Sequence, residues 1–148
     1  FIILIVFIIP LTRAIVGTPI GEAAAIVPLT IAAAPFVARI IESSLKEVDS
    51  GVIEAAKSFG ASNTQIIFKV MLKEAVPSII SGLTLTIINI IGYSAMAGSV
   101  GAGGLGKVAI SYGYQRYQTD VMIVTVIILI IMVQGLQSLG NYLYKKLS

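Results

Sequence analysis

The chain has 148 residues, of which 57% are hydrophobic and 11% charged, with a mean hydropathy of +0.98 and a net charge of +3. Soluble domains carry about 25% charged residues, so this composition excludes an ordinary soluble fold and describes an integral membrane protein. The absence of Cys and His excludes disulfides, thiolate nucleophiles, imidazole bases and the usual zinc and haem ligands. The basic excess reports topology rather than nucleic-acid binding.

Residues 1–16 (FIILIVFIIPLTRAIV) form an apolar run without an initiator Met or a basic lead-in, which reads as an N-terminal truncation rather than a processed secretory start. The run is shorter than the ~20 residues that cross a hydrocarbon core, so it is the second half of a span, kinked at Pro10, with Arg13 near the outer headgroups. Gly17, Thr18, Pro19, Ile20 and Gly21 have turn composition. A second span follows over residues 20–41, interrupted by Pro28 and Pro35, which membrane helices tolerate.

A polar segment, residues 50–77, separates this span from the next, placed at 78–98 with a loop over 99–106. Ser94, Gly98 and Ala102, and Ala97 with Gly101, repeat at four-residue intervals, which predicts close approach to a partner helix or symmetry mate. Residues 107–120 combine tyrosines with Arg116 and Gln118, an interfacial composition, and the last span covers 121–144. The polar segment with its edges holds Arg39, Lys46, Lys57, Lys69 and Lys73, the C-terminus adds Lys145 and Lys146, and the opposite side holds Arg13, Lys107 and Arg116. The positive-inside rule therefore puts the polar segment and the C-terminus in the cytoplasm.

Within the polar segment, Asp49 or Ser50 can cap a short helix over 51–59, and Gly60 suits the left-handed residue that ends it. Ser62 and Gln65 have capping-box spacing and open a second helix, and Pro77 suits the first turn of the membrane helix that follows. Glu54-Ala55-Ala56, three residues, Gly60, nine residues, then Val70-Met71-Leu72 resembles the EAA loop of ABC-importer permeases. The family's Pro is replaced by Lys73, which should let the second helix run on toward Ala75. Glu22-Ala23-Ala24 lacks the spaced glycine and lies on the outer side.

The resemblance implies an all-α polytopic bundle of the type I importer kind, in a bacterial inner membrane, working as a homodimer. It implies two further partners, an ABC ATPase subunit that binds the ATP and Mg, and an extracytoplasmic substrate-binding protein. No cofactor and no enzymatic activity are expected in the chain itself. Glu54, Ala55, Ala56, Gly60 and Ala61 are the expected ATPase-docking residues, with Lys69 adding a charge contact or standing as a solvated surface lysine. An amphipathic helix lying on the bilayer explains neither the triplet nor Gly60.

Gly92-Tyr93-Ser94-Ala95-Met96-Ala97-Gly98 and the glycine run after it look most like the methionine-importer branch. Tyr93, Ser94 and Met96 are the candidate pathway residues, Met96 as a soft constriction near a dimer axis, with helix-packing filler as the alternative. Tyr112, Tyr114, Arg116 and Tyr117 are candidates for binding-protein contact, or an aromatic belt. Another small amino-acid or osmolyte permease, and a non-transporting membrane anchor for an ATPase, are the alternative functions.

Gly101 to Lys107 spells both G-x-G-x-x-G and G-x-x-x-x-G-K. Val108 stands where a phosphate loop needs Ser or Thr, and no strand precedes the loop, so nucleotide binding is rejected there. The spans carry no interior Asp, Glu, Lys or Arg; their polar groups are residues such as Asn89, Gln134 and Gln137. Ion-coupled carriers place ionisable groups there, so the energy source is expected to be a partner.

Overall fold

In a computed structural model, which describes residues 1–148, every apolar run is helical and no strand forms. Helix α1 (Ile2–Val16) ends on Gly17, whose φ of 87° turns the chain while its N–H donates to the Arg13 carbonyl at 2.9 Å. Helix α2 (Glu22–Lys46) follows, then the short α3 (Ser50–Ser58). The long α4 (Asn63–Ala102), α5 (residues 104–114) and α6 (Thr119–Leu147) complete the chain. Helices α2, α4 and α6 are each long and apolar enough to cross a membrane.

Helix α4 is the centre of the bundle, with α2 on one side, α6 on the other, and α1 packed on α2. Small residues set both crossings. A methyl group at Gly82 would collide with Ile40 of α2, and one at Gly140 of α6 would collide with Thr84 of α4. In lipid no hydrophobic force draws helices together, so association depends on such close van der Waals fit.

The interior is correspondingly thin. Only 14 of 148 residues are buried, among them Ala24, Pro28, Ala75, Thr86, Ala97 and Thr125, while Ile3 (84% exposed), Phe7 and Ile131 face outward. In water this would be an inverted protein; in a bilayer the large aliphatics are solvated by lipid. Two of the buried threonines are satisfied inside their own helices: Thr86 Oγ1 donates to the Gly82 carbonyl at 2.9 Å and Thr125 Oγ1 to that of Val121 at 2.8 Å.

Three places depart from the sequence expectations. The second helix of the polar segment and the membrane helix expected to open at Pro77 are not separate elements, because α4 starts at Asn63 and passes through Pro77 without a break. With Lys73 where a proline would disfavour helix, nothing stops the turn before Pro77. At about 50 Å for residues 63–97, α4 is longer than a hydrocarbon core and projects well beyond it.

The expected loop over 99–106 is also shorter than the sequence reading gave. Residues Gly98–Ala102 form a wide π-type turn, Gly103 breaks it, and α5 already begins at Gly104. Gly98 here takes its close approach from a helix of the same chain. A methyl at Gly98 would lie 2.6 Å from the Lys107 nitrogen, and one at Gly106 would overlap the Ala95 carbonyl oxygen, so α5 folds back directly onto the backbone of α4.

Finally, α2 extends to Lys46, beyond the expected end at 41. Lys46 Nζ and Glu42 Oε1 pair at 2.6 Å across that last turn, and the basic residue suits the C-terminal dipole.

Candidate functional site

The α3–α4 corner is built from local signals. Asp49 accepts a hydrogen bond from the Gly51 N–H at 2.9 Å and so caps α3. At the other end Gly60 takes φ 79°, its N–H donating to the Lys57 carbonyl at 2.9 Å and that of Ala61 to the Ala56 carbonyl at 3.2 Å. Together these bonds form a Schellman motif. Ser62 then accepts from the Gln65 N–H at 3.3 Å while the Gln65 side chain accepts from the Ser62 N–H at 3.0 Å, closing the capping box. Two helices are thus fixed about a four-residue hinge, residues 59–62, by bonds within the chain.

The first turns of α4 widen into a π-type segment, Ile66–Met71, and this segment packs against α3. Ile66 is the anchor, 3% exposed. Replacing a buried Ile by Ala costs about 2–5 kcal/mol. An Ile66→Ala permease should therefore be cut at least about tenfold faster by limiting protease at residues 59–62, since cleavage tracks local opening.

Around this anchor the expected docking residues lie at the surface. Glu54, Ala55, Gly60 and Lys69 are exposed, and Ala56 and Ala61 half-buried. Sequence reasoning missed Phe59, 92% exposed, and Phe68, also exposed. The signal was available. Phe68 is out of phase with Ile66 and Val70, the inward pair of α4, and Phe59 stands at the C-cap of α3, just before the hinge glycine. Exposed aromatics beyond the lipid-facing helices point to a protein interface.

The expected pathway residues do not converge within one chain. Tyr93 faces α2, lining a cavity of about 310 Å³ with Thr86 and Asn89, and its ring stacks on Phe1 at 5.0 Å and 17°. Ser94 lines a separate cavity of about 250 Å³ toward α6, with Leu105, Leu129 and Met132. Met96, 47% exposed, lies one turn on from Tyr93 and lines neither cavity. Successive helical residues turn by about 100°, which separates the neighbours Tyr93 and Ser94.

At the opposite end from the α3–α4 corner, α5 closes in a turn that gathers the tyrosines. The Arg116 guanidinium sits 4.5 Å above the Tyr112 ring. The Gln118 N–H donates to the Tyr112 carbonyl at 3.2 Å, so Tyr114 and Tyr117 project from a closed loop. Tyr117 holds φ 55° and is 89% exposed; the strain of a non-glycine residue there is typical of binding loops.

The glycine run has no phosphate cradle. Gly103 and Gly104 precede a regular helix of only five residues, Gly104–Val108, whose backbone is pressed against α4.

Comparison with known proteins gives one consistent set. Residues 1–148 match the family described as binding-protein-dependent transport system inner membrane component. The chain is 57% identical over 146 residues to the probable D-methionine transport system permease protein MetI of Vibrio cholerae, covering 99% of this chain and 65% of that protein. It is 48% identical over 141 residues to the methionine import system permease protein MetP of Bacillus subtilis, covering 95% of this chain and 64% of the other. The chain therefore spans about two thirds of the length of these relatives. Among solved structures, inward-facing conformations of the MetNI methionine ABC transporter superpose with a TM-score of 0.94 at 48% identity, covering 99% of this chain and 68% of the other.

Proposed function

Because the chain belongs to the family of binding-protein-dependent transport system inner membrane components, we propose that it forms the transmembrane path of an ATP-driven methionine importer and docks a separate ATPase through its α3–α4 corner. The observation that carries the reading is the likeness over the whole chain to methionine permeases, 57% identity in one of them, together with a superposition on a methionine transporter at TM-score 0.94.

The corner's geometry supports the docking role. Its two helices are held rigid by an Asx cap, a Schellman turn and a capping box, and it presents Ala55, Phe59 and Phe68 outward. Any displacement of that corner passes directly into the membrane, because α4 runs on from Asn63 through Pro77 to Ala97. ATP and its Mg²⁺ belong to the partner in this reading. Two copies of the permease flank the path, and the tyrosine loop with Arg116 receives the substrate-binding protein on the outer face. Moving such an assembly between inward- and outward-open states from 1:99 to 99:1 takes about 5.5 kcal/mol of differential binding, which nucleotide closure of the docked ATPases supplies.

The test is reconstitution of the full-length permease with its ATPase and binding protein in proteoliposomes. Uptake of labelled methionine should require ATP and exceed that of other amino acids. ATPase association without any solute uptake would identify a membrane anchor instead.

A further inference from the structure

The exposed face of α4 within the membrane differs from that of α6. Ser78, Ser81, Leu85, Asn89, Gly92 and Met96 recur at three- and four-residue intervals along the regular stretch Leu72–Ala97, so they share one face. The exposed residues of α6 are aliphatics such as Ile123, Ile127 and Ile131. An amide and two hydroxyls are poorly placed against hydrocarbon, so this face of α4 meets water or protein.

Beside that face, α2 and α4 enclose the half-open cavity of about 310 Å³ lined by Arg39, Asn89 and Tyr93, with Ala33, Phe36 and Ile90 as its apolar wall. Phe36 and Arg39 also line a second cleft of about 470 Å³, which continues toward the cytoplasmic end past Ser43, Ser81 and Glu47. The shared wall makes them one groove.

Arg39 is the only charged residue in the first cavity. It makes no ion pair, since the single one in the chain joins Lys46 and Glu42. Of the carboxylates near it, Glu42 one turn on in α2 is bonded to Lys46 at 2.6 Å, and Glu47 in the second cleft accepts from Ser78 Oγ at 2.7 Å. An always-charged planar fork therefore faces a cavity of amino-acid size without a carboxylate partner.

We propose that this groove is an α-amino-acid site in the cytoplasmic half of the path, where the Arg39 guanidinium takes the substrate carboxylate. The Asn89 side-chain oxygen accepts from the α-ammonium, and Ala33, Phe36 and Ile90 receive the side chain. The proposal rests on reading the chain as an importer's path. A lysine stays charged at this position but loses the bidentate match to a carboxylate.

The test uses the full-length permease in complex with its ATPase, without binding protein, and titrates methionine and methionine amide calorimetrically. Wild type should bind methionine and discriminate against the amide. Loss of a charged hydrogen-bonding partner should weaken methionine binding by about tenfold or more in Arg39→Ala, leaving the weak amide affinity unchanged. Arg39→Lys should fall between, and the surface control Lys46→Ala should match wild type. ATPase co-purification and thermal unfolding, measured on each variant, should stay at wild-type values.

Methionine binding that survives Arg39→Ala, or that drops equally in Lys46→Ala, would overturn the site, as would a wild type that transports but binds methionine no better than its amide. A wild-type complex that retains no ATPase, or transports nothing, would instead sink the importer reading.

Discussion

A full-length permease carrying Gly60→Val is expected to retain less than about a tenth of its ATPase on co-purification, whereas Gly60→Asn should retain most of it. A side chain at Gly60 would meet nothing within 4 Å, so the effect is conformational rather than steric. With φ at 79°, an ordinary L-residue pays about 1–2 kcal/mol there, more when β-branched, while Asn visits this region readily. Relief of that strain swings α3 away from α4, and each 1.4 kcal/mol so gained is a tenfold loss in affinity for a partner that needs the original angle. Equal retention by both variants would show that the hinge angle does not matter to docking. Equal loss would point to a direct contact at residue 60.

The second large effect concerns stability. Gly106→Ala should lower the unfolding temperature of the purified complex in detergent by about 3–10 °C, from an overpacking cost of about 1–3 kcal/mol. The added methyl would overlap the Ala95 carbonyl oxygen and sit 2.7 Å from its carbon. Both are backbone atoms, so no rotamer change relieves the clash and α5 must lift off α4. Gly135→Ala is the control. It lies inside α6 with nothing within 4 Å of the new methyl, and should be stabilising by about 0.5–1 kcal/mol. A Gly106→Ala complex that melts with wild type would mean that α5 is not seated on α4 in the assembled protein.

What could be read from the sequence was whatever is decided locally. The Asp49 cap, the Gly60 turn and the Ser62–Gln65 box each depend on a handful of consecutive residues, and each forms as the spacing predicts. Helix phase is equally local, yet it was the reason the pathway residues could not be grouped by proximity in sequence. Tyr93 and Ser94 are neighbours that line different cavities.

The remainder depended on tertiary placement. Pro77 reads as a helix start, but in α4 it lies inside the helix, 14 residues beyond Asn63. The small residues around Gly98 read equally well as an interface with a second chain or as a fold-back within one. Only the position of α5 decides for the second. Arg39 reads as a topology marker, and its unpaired position at the groove becomes visible only once α2 and α4 are side by side.

The threonines of the interior bear on how the protein reaches its membrane. Thr30, Thr84, Thr86 and Thr125 each donate to the carbonyl four residues earlier in the same helix. The one side-chain hydrogen bond between neighbouring spans, Ser78 to Glu47, lies at the end of the bundle nearest the α3–α4 corner. These four hydroxyls can thus leave the translocon already satisfied within their own helix, before the neighbouring spans are made. Biogenesis can then proceed one helix at a time, and bundle assembly becomes a matter of shape that begins after insertion is complete.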